Sequence, residues 1–381
     1  MIKNKEAIKN LASRQKKHWV RITRACNNNC LFCLDRENQN GSIFSMEEII
    51  LDLKSGLKKG IRRVVISGGD PTVHPNLIEI IKKAKELGYQ HIQIITNGRM
   101  LAYEKFAVDL KRAGLDEVTF SLHSHIEKDF ELMTGVKGGY RQALQGLLNA
   151  QKQGFIVSVD IVINKINYKK LKETLQFFIK LGVGEFDLLY PIPFGSAWKN
   201  RKKLFFSPGR SQKYLNRAFA LSRSKNLFIW TNRLPTQYLE GFEDLIQNPV
   251  KIYDEIHGMK SEFMNLIECG KQMSCKGARC GYCFMQDFCL DLNEILEKKK
   301  IIGRVNPGCV EKEMLKNREI SIFKFNEYFT LEKFADFFIE NRYFVKSLRC
   351  RKCKYDSSCE GAWVEDVRKK GFSILEPEIR D

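Results

Sequence analysis

From residue 18 to about 195, short β-branched runs alternate with longer amphipathic stretches, a pattern that confines the chain to repeated strand–helix units around a parallel sheet. The spacing predicts strands at 18–23, 62–67, 91–96, 117–123, 155–163 and 185–190. Helices are predicted at 45–59, 76–87, 101–113, 139–153 and 168–181, closed in turn by Gly60, Gly88, Gly114, Gly154 and Gly182. Ser45 with Glu48 three residues later is a capping box, which marks the first helix start. Six such units are too few for a closed eight-stranded barrel. They fit an α/β fold built as a partial (β/α)6 barrel, with its active face at the C-terminal edge of the strands. Residues 196 to about 265 are aromatic and basic and read as the last barrel elements and a bridge. We therefore expect a core over 1–235 and a small cysteine-rich C-terminal domain over 236–381.

Twelve cysteines are distributed unevenly: three fall between positions 26 and 33, none between 34 and 268, and nine between 269 and 359. The first 20 residues lack the continuous apolar segment of a secretory signal, and apolar runs such as 155–163 are broken by Asp160. Both features point to a soluble cytoplasmic protein with no membrane partner, where thiols stay reduced and disulfides are a poor explanation for so many cysteines. Metal ligation in two separate regions accounts for them better.

Cys26-Asn27-Asn28-Asn29-Cys30-Leu31-Phe32-Cys33 places three thiols on one short loop after the first strand. Three thiolates can bind three irons of a cubane and leave the fourth open to a chelating ligand. A structural zinc needs a fourth ligand, which His18, His74 or His123 could supply. Other motifs also follow strands. Ser67-Gly68-Gly69-Asp70-Pro71-Thr72 closes the second, Thr96-Asn97-Gly98 the third, Ser121-Leu122-His123 the fourth and Asn164 the fifth. Taken singly, each is an ordinary turn. His123 and His125 could act as acid–base groups, although a plain hydrogen-bonded structural role is the simpler reading of each.

The cluster-loop spacing, Phe32 before the last cysteine, and these post-strand segments resemble the radical S-adenosylmethionine (SAM) superfamily over about residues 17–195. The resemblance implies a [4Fe-4S] cluster on Cys26, Cys30 and Cys33. SAM would chelate the open iron and be split by an electron into methionine and a 5′-deoxyadenosyl radical, with the cofactors supplying the reactivity. It also implies SAM or substrate contacts at Gly68, Gly69, Asp70, Thr96, Asn97, Ser121 and Asn164. Pro193-Phe194-Gly195-Ser196-Ala197 would lie near the adenine. Asp70 stands where the family usually has glutamate, one methylene longer.

The second region holds Cys269, Cys275, Cys280, Cys283, Cys289, Cys309, Cys350, Cys353 and Cys359. Cys280-x2-Cys283-x5-Cys289 and Cys350-x2-Cys353-x5-Cys359 share one spacing, which suggests metal at both places. Nine thiols suffice for two four-ligand sites with one left over, or for one full and one incomplete site. The second triplet resembles the SPASM and twitch extensions, which carry one or two auxiliary [4Fe-4S] clusters. A further cysteine of that pattern is replaced here by Trp363 and, in the first copy, by Asn293. Tetrahedral zinc is the alternative.

The resemblance implies an oxidoreductase or transferase that modifies a peptide or protein and takes its electron from a donor such as flavodoxin or ferredoxin. A small molecule or nucleotide in cofactor synthesis is the alternative substrate. The net charge of +19 suits an acidic or phosphorylated partner. A zinc protein that binds nucleic acid would explain the charge, but not the placement of motifs after strands.

Overall fold

The computed structural model describes residues 15–310 and 321–379. The chain separates into a unit of residues 15–232 and a second unit that begins at Arg233. In the first, seven strands form one parallel sheet in sequence order: β1 (His18–Thr23), β2 (Arg63–Gly68), β3 (His91–Thr96), β4 (Glu117–Ser121), β5 (Ile156–Val162), β6 (Glu185–Leu189) and β7 (Phe228–Asn232). Every crossover steps in one direction, and right-handed crossovers then place all connecting helices on one face. These are α1 (Met46–Lys58), α2 (Leu77–Leu87), α3 (Glu104–Arg112), α4 (Glu127–Thr134), α5 (Gly139–Lys152) and α6 (Leu171–Lys180). The helix-side face is apolar: Val64, Ile66, Ile92, Ile94, Val118, Phe120, Val159, Ile161, Phe186 and Leu188 are fully buried. Each such side chain removed from water contributes about 1.5–3 kcal/mol.

The six predicted strands and the capping box are present; Glu48 N donates to Ser45 Oγ and Ser45 N to Glu48 Oε2. The partial barrel gains a seventh strand, β7, from the stretch read only as last elements. That strand is five residues long and alternates buried Ile229 and Thr231 with Phe228, Trp230 and Asn232, so its apolar signal is brief. Between β6 and β7 lie α7 (Gly195–Lys199), α8 (Arg201–Leu204) and α9 (Pro208–Phe219).

The second unit is sheet-poor. It contains α10 (Ile252–Gly258), α11 (Lys260–Cys269), α12 (Gln286–Lys298), β8 (Lys300–Ile302), β9 (Ile322–Lys324), α13 (Leu331–Asn341), β10 (Phe344–Val345), β11 (Ala362–Trp363) and α14 (Val364–Lys370). The strands make two short antiparallel ribbons, β8 with β9 and β10 with β11. Phe288, Phe334 and Phe338 centre its core, with ring centroids 5.3 Å apart from Phe288 to each of the others. Among the described residues, no helix is long and apolar enough to cross a membrane.

Candidate active site

Cys26, Cys30 and Cys33 lie on the loop that leaves β1, at the C-terminal strand edge, and neighbouring elements hold that loop from several sides. On the β2 side, Gly69 N donates to Thr23 O at 2.9 Å and Asp70 N to Ala25 O at 2.8 Å. A Cβ at Gly69 would lie 2.2 Å from Ala25 O, and one at Gly68 would lie 2.6 Å from Thr23 O. The paired glycines therefore allow a backbone approach that any side chain would block. From α4, Thr134 O and Met133 O accept from Asn29 N and Leu31 N at 2.9 and 2.8 Å. From α7, Ser196 N donates to Cys33 O at 2.8 Å, and Asn200 Nδ2 donates to Leu31 O at 3.1 Å. The Pro193–Ala197 segment thus meets the cysteine loop itself.

Asp70 is 1 % exposed, and its carboxylate is engaged within the protein. It accepts from Thr72 N at 2.9 Å, from Thr72 Oγ1, from Thr96 Oγ1 at 2.8 Å and from Asn97 N at 2.7 Å. Asn97 Nδ2 in turn donates to Asn27 Oδ1 at 2.6 Å. Arg99, which the sequence reading passed over, donates to Asn27 O, to Asn28 Oδ1 at 3.1 Å and to Gln142 Oε1 at 2.7 Å. Its place directly after Thr-Asn-Gly was the available signal. Asn164 is fully buried: its Nδ2 donates to Val162 O at 3.0 Å and to Met133 Sδ at 3.1 Å, and its Oδ1 accepts from Ile166 N at 2.9 Å. Asp70, Thr96, Asn97 and Asn164 therefore shape the site through bonds inside the protein. Ser121 lies half-buried at the end of β4.

The three thiols are close enough to perturb one another. Burial, then Asp70, raise Cys26 to about 11, with Cys33 adding to the shift. Burial, with Cys26 and Cys33 beside it, raises Cys30 further, and burial raises Cys33. Among the described residues, no three ligating side chains gather tightly enough to hold a single ion. The histidines that could complete a zinc site are engaged elsewhere. His18 bonds Asp52 at 3.0 Å, and both ring nitrogens of His74 are committed, to Phe44 O and Asn76 N. His123 accepts from Val162 N at 3.2 Å and packs edge-on against Phe32, with centroids 4.6 Å apart. Burial lowers its pKa to about 3, so it stays neutral. His125 bonds Thr174 Oγ1 at 2.9 Å. The donor set, three converging soft thiols on one loop, fits a [4Fe-4S] cluster with one iron left open.

The sheet face opposite the helices is polar. In register across β4 to β7 stand Ser121, Asp160, Asp187 and Trp230, with Thr119, Ser158 and Glu185 one row below. Asp160 and Asp187 are half-buried neighbours, and burial, then Asp187, hold the Asp160 pKa well above the usual carboxylate range. Trp230 Nε1 donates to Glu185 Oε1 at 3.0 Å. Nearer the N-terminal strand ends, Arg63 and His91 both bond Glu117 Oε2 at 2.7 Å. None of these carboxylates stood out in the sequence, because their shared face becomes visible only with the strand register.

In the second unit all nine cysteines are free thiols, as are the three in the first. Cys275, Cys280, Cys283 and Cys289 form one neighbourhood: burial and these partners raise Cys289, and burial carries Cys283 to about 11. Cys309, Cys350, Cys353 and Cys359 form another, in which the other three raise Cys350 after burial. Each repeated triplet thus gains its fourth thiol from upstream. Cys269 stands apart and exposed at the end of α11. Where the SPASM pattern has a further cysteine, Trp363 donates to Ile339 O at 2.9 Å and Asn293 donates to Cys289 O at 2.7 Å, so both fill structural roles.

A singly wound parallel sheet thus carries three thiols at its C-terminal edge. Residues 20–178 match the radical SAM superfamily model, so this part of the chain is a radical SAM domain, a family that implies a [4Fe-4S] cluster and SAM. It is 36 % identical over 180 residues to a probable GTP 3′,8-cyclase of Sulfurisphaera tokodaii, covering 46 % of this chain and 56 % of that protein. A probable GTP 3′,8-cyclase of Saccharolobus solfataricus is 34 % identical over 190 residues, or 49 % of this chain and 61 % of that one. The chain thus spans little more than half the length of these relatives. Streptococcus suis SuiB, solved with its precursor peptide SuiA, aligns over 99 % of this chain and 78 % of its own at 17 % identity, with a TM-score of 0.48.

Proposed function

We propose that this chain is a cytoplasmic radical SAM enzyme acting on a small molecule or nucleotide in cofactor synthesis. The observation that carries this reading is its 34–36 % identity over 180–190 residues to proteins named as GTP 3′,8-cyclases. Similarity at that level favours a small substrate over the peptide or protein to which the sequence first pointed.

In this reading Cys26, Cys30 and Cys33 would hold the cluster, which together with SAM would supply reductive cleavage of the sulfonium. The chain's own residues provide position and exclusion. Gly68 and Gly69 seat the cysteine loop against β2, Asp70 and Asn97 brace it, and Ser121 presents a hydroxyl towards SAM. Cys275, Cys280, Cys283 and Cys289 hold one auxiliary [4Fe-4S] cluster, and Cys309, Cys350, Cys353 and Cys359 a second. Asp160 and Asp187 favour a substrate that offers hydrogen-bond donors to the sheet face, such as ring N–H or amino groups.

The test uses anaerobically reconstituted full-length protein with SAM, dithionite and, separately, nucleoside triphosphates or short acidic peptides. Nucleotide-dependent 5′-deoxyadenosine, with a new nucleotide-derived product by mass, is the expected result. Stimulation by peptides alone would overturn the small-molecule reading.

A further inference from the structure

Between β5 and β7 the chain carries a basic surface that the binding of cluster and SAM does not use. Lys165, Lys169, Lys202, Lys203 and Lys213 are all exposed. The fold gathers them: Lys165 N donates to Leu204 O at 2.9 Å and its Nζ to Lys202 O at 2.7 Å. The Tyr168 ring stacks on Phe206 with centroids 5.0 Å apart and meets Tyr214 edge-on at 5.7 Å. Lysines lie over both tyrosines, Lys169 at 6.0 Å from Tyr168 and Lys213 at 5.1 Å from Tyr214, and Arg201 lies 4.6 Å over Trp198. Acidic residues answer only some of the neighbouring cations: Glu37 faces Lys199 at 3.5 Å, Asp129 faces Lys170 at 3.0 Å and Glu173 faces Arg217 at 3.5 Å.

The position of this surface is as informative as its charge. Helix α7 starts on the cysteine loop, with Ser196 N on Cys33 O, and the Lys199–Lys203 segment follows directly. These cations therefore follow within seven residues of Ser196, whose backbone is bonded to Cys33. Positive charge set beside a buried redox group raises the encounter rate of an acidic partner and fixes its orientation.

We propose that this aromatic-backed basic surface docks a small acidic electron-carrier protein that delivers the electron to the cluster on Cys26, Cys30 and Cys33. The proposal rests on the assignment of that cluster. One electron leaves the reduced carrier, which is oxidised by one equivalent, and one electron enters the cluster; the chain makes and breaks no bond. A nucleic-acid strand would match the charge but has no use for a surface beside the thiol loop.

The test compares full-length reconstituted protein with a Lys169→Glu/Lys202→Glu/Lys203→Glu variant and with a control reversal, Lys54→Glu/Lys58→Glu/Lys59→Glu, of equal net charge. Binding of oxidised flavodoxin is titrated calorimetrically at low and at near-physiological salt. Oxidation of reduced flavodoxin is followed by stopped flow, and SAM cleavage is driven separately by dithionite. The triple variant should lose at least about tenfold in carrier affinity and transfer rate at low salt. Its dithionite-driven cleavage should stay within about twofold, and the control's affinity within about threefold, of the unaltered protein. Unchanged carrier binding, or equal loss in the control, would overturn the proposal. Absence of dithionite-driven cleavage in the unaltered protein would instead overturn the cluster assignment, and the calorimetric arm would still report on docking.

Discussion

In residues 15–232 the thiol loop is attached to a sheet already complete without it, whereas from Arg233 onward thiols stand where extended sheet is lacking. The first unit buries a continuous apolar layer along seven strands, and its cysteine loop hangs on backbone bonds from β2, α4 and α7. The second unit has ribbons of only two or three residues per strand, and one of its two groups of four thiols joins segments distant in sequence. Cys309 and Cys350, for example, lie 41 residues apart in the chain. On the proposed cluster assignments, metal would be a guest of the first unit and a fastening of the second. In the second, binding free energy becomes folding free energy.

The most severe way to test this contrast is to remove Cys350 and Cys353 together. The variant should lose iron and expose its second unit to limited proteolysis, while residues 15–232 stay protected; an intact second unit would refute the contrast. Cys30→Ala should do the reverse, abolishing 5′-deoxyadenosine formation with little change in thermal midpoint, as read by calorimetry.

Gly69→Ala forces a methyl group to within 2.2 Å of Ala25 O, so the loop must move off β2. A loss of about 2–4 kcal/mol in stability is expected, because rigid backbone lies on both sides. Loss of cluster signal by electron paramagnetic resonance should accompany it. Arg99→Ala removes charge-assisted bonds to Asn27 O and Asn28 Oδ1 and should cost about 1–3 kcal/mol. Faster release of iron to a chelator would report it.

A further effect, graded with pH, concerns acid. His123 titrates near 6.5 when unfolded but at about 3 when folded, so the unfolded chain binds the extra proton in between. The stability it contributes is present above pH 6.5 and declines by up to about 1.4 kcal/mol for each pH unit below that. Denaturant midpoints of His123→Asn should vary less between pH 6 and pH 4 than those of the unaltered chain.

The strand–helix rhythm was legible because each unit repeats one apolar period, and the first thiol loop because CxxxCxxC needs no tertiary context. What stayed hidden depends on spatial neighbours. The partition of nine C-terminal cysteines into two groups of four rests on Cys275 and Cys309, whose distances along the chain gave no rule for pairing. The inward bonds of Asp70 and Asn164 were equally hidden, since a motif names a residue without saying where its polar atoms point. Asp160 and Asp187 emerged only from the β5–β6 register.

The sheet runs from β1 to β7 without joining its two ends. In a closed barrel, strand number and stagger together dictate the bore. An unjoined arc has no such fixed diameter: either margin can swing without breaking a ladder, and Trp19, 48 % exposed on β1, sits on one of them. Cargo size in such a scaffold is governed by whatever shutters the gap, so catalytic chemistry and substrate girth can change independently.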